Sequence, residues 1–209
     1  MLIIDLPQNT PEWLQARRGL VTASSIKDVL AKGKGGEEAK TRETYRVQKA
    51  MEILVKEHIS SPGLDTAAIR WGKETEPMAR TEYELRTGVM VVQVGLVLHP
   101  TIERAAASPD GLVGDKGLVE FKCPESHTHI RYIVGDTVPT EYQPQMLWQM
   151  ACCEREWCDF VSFDPRWPEN NQMFVKRFFR DDARIKAMET EVIKFNQEVD
   201  ELVEKLRRM

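Results

Sequence analysis

Cysteine is scarce in this sequence, and its placement excludes several kinds of site. The four cysteines form no CxxC pair and no regular ladder, which argues against a disulfide framework. They are Cys123, Cys152, Cys153 and Cys158. The run Cys123, His127 and His129 offers three zinc-ligand side chains, but no fourth follows at a convincing spacing. We therefore expect neither a structural zinc site nor stabilising disulfides.

Long apolar runs are also absent. No stretch approaches the roughly 20 consecutive apolar residues that cross a bilayer. The N-terminal stretch MLIIDLPQNTPEW lacks the basic start and the long apolar segment of a secretion signal. The composition, 42% hydrophobic and 30% charged, is that of an ordinary globular domain. We expect a single cytoplasmic domain over residues 1–209 with no membrane partner.

Positive charge is not in excess either. The chain has 29 Lys and Arg residues against 33 Asp and Glu residues, and this balance argues against a protein that coats nucleic acid nonspecifically. Residues 27–49 carry seven basic side chains and four acidic ones. This mild bias fits either a local patch that contacts phosphate groups or an ordinary solvated surface. A nucleic-acid enzyme is compatible with these charges if its contacts are confined to a patch or a channel.

Turn and capping residues divide the chain into helical ends and a strand-rich centre. The predicted helices span residues 10–17, 24–33, 41–58, 74–88, 126–134, 140–153 and 182–208. Ser24 or Ser25 is expected to cap the second of these, and Gly33 to end it. The predicted strands are VMVVQVGLVLHP, RAAA, GLVG, GLVEFKCP, EWCDFVSFDP and QMFVKRFFR. This order predicts one α/β domain: N-terminal helices over 10–88, a central mixed β-sheet with flanking helices over 89–180, and a C-terminal helix.

Apolar residues recur every three or four positions along the last predicted helix. They are Ile185, Met188, Val192, Phe195, Val199, Leu202 and Leu206. A stripe of this kind fits both core packing and a coiled coil. We expect it to pack on the core of the same domain.

The segment SPDGLVGDKGLVEFKCPE, residues 108–125, predicts a β-hairpin with its turn at 114–117. Side chains alternate between the two faces of a strand, so Leu118, Glu120 and Lys122 share one face. An acid and a lysine thus lie together on a strand that is otherwise rich in apolar residues. The Ser-Pro-Asp-Gly turn before the hairpin adds a second carboxylate, Asp110.

Two carboxylates and a lysine at this spacing suit a metal-dependent phosphodiesterase. Crowded carboxylates repel each other, and a hard divalent cation with oxygen ligands relieves that repulsion. Asp110 and Glu120 would supply carboxylate oxygens, and the backbone carbonyl of Phe121 lies beside them. Lys122 would orient a water molecule or offset charge that builds on the phosphate. The spacing alone also fits an exposed strand face with salt bridges.

Four segments in order resemble the PD-(D/E)XK nuclease superfamily and, within it, the phage lambda exonuclease group of YqaJ-like viral recombinases. They are EWLQARRGLVTAS, WGKETEPMAR, SPDGLVGDKGLVEFKCP and EYQPQMLWQM. The resemblance implies a restriction-endonuclease-like core and a Mg²⁺-dependent enzyme, with Mn²⁺ as an alternative ion. It also implies processive degradation of one strand of double-stranded DNA from the 5′ end, which leaves a 3′ single-stranded tail for recombination.

Matching of these motifs implies a role for each polar residue of the hairpin. Asp110 and Glu120 would be metal ligands, assisted by the Phe121 carbonyl. Lys122 would be the catalytic lysine, and Glu76 an additional acid near the metal. Without the resemblance, Glu76 is better explained as an acid in the first turn of a helix, where the helix dipole favours it.

Other positions match the family's pocket for a 5′-phosphate. Arg17 would bind the phosphate, because a planar guanidinium suits a terminal phosphate better than an ammonium group does. Ser24, Ser108 and Gln145 would line the same pocket. Arg18 follows Arg17 directly, so the choice between these two arginines stays open.

The resemblance also implies partners and leaves two competing functions. Family members form ring-shaped homotrimers around double-stranded DNA, and a single-strand annealing protein is the expected partner on the 3′ tail. A structure-specific or restriction-type endonuclease would share Asp110, Glu120 and Lys122 but would need no 5′-phosphate pocket. A noncatalytic protein that binds DNA ends would have no use for the metal ligands.

Overall fold

The structure is a computed structural model that describes residues 1–55 and 66–209. Its helices are α1 Pro11–Ala16, α2 Ile26–Leu30, α3 Lys40–Leu54, α4 Ala67–Thr87, α5 Ser126–Gly135, α6 Gln143–Cys153 and α7 Asp182–Arg207. The end of the helix predicted at 41–58 lies outside the described residues. In the described ranges, no helix is both long enough and apolar enough to cross a bilayer.

The strands form two mixed sheets rather than the one central sheet expected from the sequence. They are β1 Leu2–Ile4, β2 Val21–Thr22, β3 Val91–Val92, β4 Leu96–Leu98, β5 Ala105–Ala107, β6 Gly111–Val113, β7 Gly117–Lys122, β8 Trp157–Phe163 and β9 Met173–Phe179. One sheet has the order β1-β4-β5-β2, and the other has β3-β6-β7-β8-β9. The prediction of a mixed α/β fold flanked by helices is confirmed. The strands β1 and β2 were not predicted, because two or three residues are too few to show an alternating pattern.

Helices α6 and α7 are the largest contributors to the main core. In α6 every residue from Met146 to Cys153 is buried, so this helix lies inside the domain. The stripe predicted along α7 packs on the same core from Ile185 through Val199, whereas Leu206 near its end is 44% exposed. The expectation of core packing for α7 is therefore confirmed.

Two predicted helix boundaries were wrong. Val21 and Thr22 form a strand that pairs in parallel with β5, and a 3-10 turn at 23–25 precedes the five-residue helix α2. Gly33 does not end this helix, because its N–H donates to the Glu37 carbonyl in a loop beyond it. Helix α4 begins at Ala67 instead of residue 74, so Glu76 lies inside the helix and not in its first turn.

Gly95 is a position where the fold leaves no room for a side chain. A Cβ atom there would lie 2.4 Å from the Ile4 carbonyl oxygen and 2.5 Å from that of Leu6. Backbone atoms cannot move aside cheaply, so Gly95→Ala is expected to lower the free energy of unfolding by about 1–3 kcal/mol, the usual cost of overpacking. Gly72→Ala in α4 is the matched control, because no atom of the described residues lies within 4 Å of its added Cβ. Urea unfolding of both variants checks this, and equal stability of the two would contradict it.

Candidate active site

The predicted hairpin is formed by β6 and β7, which pair antiparallel with Gly111 opposite Val119. Its two faces are buried in different cores. Leu118 contributes to the main core beside α6, whereas Val119 and Phe121 pack in a second core with α4. Glu120 follows Leu118 on the α6 side and is only 1% exposed. A carboxylate is thus held inside the protein on the central strand of a sheet.

Both carboxylate oxygens of Glu120 accept hydrogen bonds from α6. Gln145 donates to Oε1 and Gln149 donates to Oε2, each at 2.6 Å. Lys122 forms an ion pair with Glu120 Oε1 from the same face of the strand. The four-residue spacing of the glutamines on a helix brings both amides to one carboxylate. These contacts fix the orientation of Glu120 and stabilise its buried charge.

Asp110 is placed against the same strand by the turn before β6. Its Oδ2 accepts the Phe121 N–H at 2.7 Å. Burial raises the pKa of Asp110 well above its usual value, and the neighbouring charges of Glu120 and Glu76 raise it further. Burial lowers the pKa of Lys122, but Glu120 and Asp110 outweigh that effect, so the net pKa of this lysine is raised. The site therefore concentrates negative charge that one lysine offsets only in part.

This donor set fits a hard divalent cation. Asp110 and Glu120 offer carboxylate oxygens, the ligands that Mg²⁺ and Mn²⁺ prefer. Within residues 1–55 and 66–209, no three His, Cys, Asp or Glu side chains are grouped to hold one ion. A cation here would accordingly take two carboxylates and complete its shell with the Phe121 carbonyl, water or phosphate oxygens. That pattern is typical of Mg²⁺, which keeps several waters when it binds protein.

Glu76 lies on α4 at the edge of this site. It forms an ion pair with Arg80 at 3.0 Å one turn along the helix. Burial raises its pKa, and the charge of Glu120 raises it further, although Arg80 opposes both. Glu76 and Asp110 both line a cavity of about 370 Å³ under the loop at residues 5–9. The structure thus brings Glu76 near the two predicted ligands, with Arg80 as its direct partner.

The remaining predicted residues meet in one cavity of about 220 Å³. The residues from the sequence prediction that line it are Arg17, Ser24, Ser108, Asp110, Glu120, Lys122 and Gln145. They come from five separate parts of the chain, and the cavity joins the arginine and serines directly to the carboxylates. Gln8, Trp13, Thr22 and Ala23 complete the lining.

Arg17 enters this cavity from the end of α1. Its guanidinium stacks on the Trp13 ring, 4.0 Å from the ring centroid. One Nη donates to the Thr22 and Ser24 hydroxyls at 3.3 and 3.5 Å, whereas Nε is buried with no partner among the described residues. The Ser108 hydroxyl is likewise buried with no partner in residues 1–55 and 66–209. A cation that has no carboxylate partner in the described part of the chain, beside an unsatisfied hydroxyl, is the arrangement that an anion such as phosphate would complete.

The two adjacent arginines point to different places. Arg18 donates to the backbone carbonyls of Glu52 and Val55 at the end of α3. Arg17 lines the cavity instead, so the geometry favours Arg17 as the anion-binding residue. Of the two serines expected to cap the second helix, Ser25 is at the N-cap position of α2, so the cap is not Ser24. Ser24 lies in a 3-10 turn ahead of α2, and its hydroxyl reaches the cavity by accepting from Arg17.

Several residues of the site were missed as functional residues. Trp13 precedes Arg17 by four residues on α1, a helical spacing from which their contact was predictable. Gln149 follows Gln145 by four residues, which places both on one face of a helix and predicts a site-facing pair, but its hydrogen bond to Glu120 was not predicted. Gln8 had no signal in the sequence, because its amide donates to the distant Val94 and Pro109 carbonyls.

Comparison with known proteins identifies the class of fold. The structure superposes on the crystal structure of an alkaline exonuclease, LHK-Exo, from Laribacter hongkongensis with a TM-score of 0.86 and 45% sequence identity, covering 95% of this chain and 97% of that one. A crystal structure of LHK-Exo in complex with dAMP matches equally well. A phage-related exonuclease from Haemophilus somnus 129PT shares the fold, with a TM-score of 0.70 over 90% of this chain and 96% of that one, at 16% identity.

The sequence also matches a family defined by sequence. The YqaJ-like viral recombinase domain covers residues 12–156, which is more than half of the chain, so the protein belongs to this family. A curated relative, the uncharacterized protein R354 of Acanthamoeba polyphaga mimivirus, is 26% identical over 167 residues. The match covers 74% of this chain but only 28% of that relative. The resemblance stated from the four sequence segments is confirmed.

Proposed function

We propose that this protein is a Mg²⁺-dependent exonuclease that degrades one strand of linear double-stranded DNA from a 5′-phosphorylated end and leaves a 3′ single-stranded tail. The observation that carries the proposal is the single cavity that Arg17 and Ser108 share with Asp110, Glu120 and Lys122. An endonuclease on the same core would have no need for an anion site beside its carboxylates. The 45% identity to an alkaline exonuclease over nearly the whole chain supports the same activity.

Each residue has a distinct part in this function. Arg17 and the hydroxyls of Ser24 and Ser108 bind the terminal phosphate and so fix the distance from the DNA end to the carboxylates. Asp110 and Glu120 would hold the cation, which when bound polarises the scissile phosphate and lowers the pKa of an attacking water.

Lys122 remains protonated, because the carboxylates raise its pKa. It therefore offsets negative charge on the phosphate rather than removing a proton. Gln145 lines the same cavity, where its amide donates to Glu120 Oε1 and so orients this carboxylate.

The acidic chain suits an enzyme that holds DNA by a few local contacts. The homotrimeric ring and the single-strand annealing partner implied by the resemblance stay predictions, and so does the cytoplasmic location. A ring would keep the enzyme on its DNA by enclosure, so the outer surface would not need an excess of positive charge.

Digestion of linear and closed circular double-stranded DNA tests the proposal. With Mg²⁺ or Mn²⁺, loss of the 5′-phosphorylated strand of the linear DNA is expected, with the circle intact and no reaction in EDTA. Separate labels on the two strands report which one is degraded and from which end. Cutting of the circle would indicate an endonuclease, and no cutting with either metal would indicate a protein that only binds DNA.

Gln149 provides a more specific test of how Glu120 is held. Gln149→Leu removes the donor to Glu120 Oε2 while keeping a similar volume. It also removes the Gln149 Oε1 atom, which is buried without a partner among the described residues. We expect kcat to fall about 10–100-fold, as for the loss of residues that orient metal ligands. The preference for 5′-phosphorylated ends should persist, because Arg17 is untouched. A wild-type kcat in this variant would contradict the role of Gln149 in orienting Glu120.

A further inference from the structure

Arg17 is a half-buried cation that forms no ion pair with Glu52, an acidic side chain near it. Burial lowers the pKa of the Arg17 guanidinium, and electrostatic interactions with Tyr45 and Glu52 partly oppose that effect. Glu52 is therefore close enough for its charge to act on Arg17. In the described part of the chain, however, the acceptors bonded to the Arg17 guanidinium are two hydroxyls and no carboxylate. Something must hold the Glu52 carboxylate away from it.

Both oxygens of Glu52 are bound by other donors. Lys49 Nζ donates to Oε2 at 2.7 Å, and the Gly19 N–H donates to the same oxygen at 2.8 Å. Gln48 Nε2 donates to Oε1 at 2.9 Å. The Lys49 side chain is only 8% exposed, so this ion pair is shielded from solvent. Buried pairs of this kind are costly to break, because removal of one partner leaves the other charge unpaired.

The same contacts fix the loop that presents Arg17. Gly19 has a φ of 71°, in the left-handed region that favours glycine, and its N–H is tied to Glu52 on α3. Arg18 donates to the Glu52 carbonyl from the other side of the loop. Glu52 thus accepts hydrogen bonds from residues 18–19, which directly follow Arg17, through both its carboxylate and its backbone carbonyl. A change in the position of the Glu52 carboxylate would therefore affect Arg17 in two ways. It would move the loop that carries Arg17, and it would change the negative charge near the guanidinium.

We propose that Lys49 is a positioning residue that holds the Glu52 carboxylate on the loop at Gly19 and so keeps Arg17 free to bind a 5′-phosphate. Without the ammonium group, the Glu52 carboxylate loses its cationic partner and becomes available to the Arg17 guanidinium. A Glu52–Arg17 ion pair would occupy the guanidinium and compete with the phosphate. The inference rests on the proposed function, because it assumes that Arg17 binds the DNA end.

Steady-state digestion of 5′-phosphorylated and 5′-hydroxyl linear DNA tests this role. Lys49→Met keeps the length of the side chain but removes its charge. We expect KM for phosphorylated ends to rise about tenfold or more, the factor that one charge-assisted hydrogen bond supplies. We expect kcat and the parameters for 5′-hydroxyl ends to change little. Lys49→Arg should preserve the wild-type preference, and Lys116→Met is the control for loss of an exposed charge paired with Glu156.

A second substitution separates competition by Glu52 from a purely structural role. In Lys49→Met/Glu52→Gln no carboxylate remains to pair with Arg17, so the preference for phosphorylated ends should return. Failure of the double variant to recover it would overturn the inference. A preference that Lys49→Met leaves unchanged would also overturn it while the proposed function stands. A wild-type enzyme without any preference for phosphorylated ends would overturn the phosphate site itself, and this inference with it.

Discussion

Asp110→Asn is expected to reduce DNA hydrolysis more than about a hundredfold, the lower range for loss of one group that stabilises charge in a transition state. Asparagine can still accept the Phe121 N–H that Asp110 Oδ2 accepts, so the turn before β6 should keep its position. What the variant loses is the negative charge that attracts a divalent cation. The rate of release of labelled nucleotides from linear DNA in Mg²⁺ measures the effect.

The same variant should become more stable in EDTA at alkaline pH. Burial raises the pKa of Asp110 in the folded state, so the folded protein binds its proton more tightly than the unfolded chain does. The contribution of Asp110 to the free energy of unfolding is therefore most favourable at a pH below its unfolded pKa of about 3.9. That support is lost as the pH rises through the raised folded pKa, because the carboxylate then ionises beside Glu120. Asparagine never ionises, so the variant escapes this loss.

Thermal unfolding at two pH values and with two ions checks this prediction. In EDTA the melting temperature of Asp110→Asn should exceed that of the wild type at pH 8, and the gain should shrink toward pH 5. Mg²⁺ should stabilise the wild type and have a much smaller effect on the variant, since a ligand stabilises only the state that binds it. If Mg²⁺ raises the melting temperature of the inactive variant as much as that of the wild type, Asp110 is not a ligand of the metal.

Arg17→Ala is expected to abolish the preference for 5′-phosphorylated ends. A charge-assisted hydrogen bond contributes about 1.5–3 kcal/mol, so loss of the guanidinium should lower kcat/KM on phosphorylated ends by about 10–100-fold. Activity on 5′-hydroxyl ends should fall much less, because those ends lack the group that Arg17 binds. Arg17→Lys should recover only part of the preference, since an ammonium group lacks the planar fork of donors.

Two controls make the result for Arg17 specific. Arg208→Ala removes an arginine whose side chain is 81% exposed near the C-terminus, so it accounts for a general loss of positive charge. Far-ultraviolet circular dichroism shows whether loss of the Arg17 stack on Trp13 has disturbed α1. An equal loss of activity on both kinds of end would exclude Arg17 from recognition of the phosphate.

The sequence predicted the hairpin well, because alternation along β7 is a local property. Leu118, Glu120 and Lys122 share a face in any strand, and the turn at 114–117 fixes its register. The buried face of the long helix α7 could be predicted from its stripe of apolar residues for the same reason. Such features need only neighbouring residues and a regular period.

Features that depend on distant residues could not be predicted from the pattern. The second sheet requires β1 to pair with β4, more than ninety positions along the chain, and the three residues of β1 are too few to show a period. Gln8 reaches the site only because the N-terminal loop folds over Val94 and Pro109. The start of α4 was misplaced because Pro77 resembled a helix start, whereas it lies inside the helix.

The central claim is that one small cavity holds both the 5′-phosphate and the hydrolytic carboxylates. The most direct test is the identity of the first product in a single turnover on linear DNA labelled at its 5′-phosphate. With the label bound by Arg17 and the cut made beside Asp110 in a cavity of about 220 Å³, the labelled product should be a mononucleotide. A labelled dinucleotide or longer fragment as the first product would contradict this arrangement, because its phosphate would have to lie outside the cavity that contains the carboxylates.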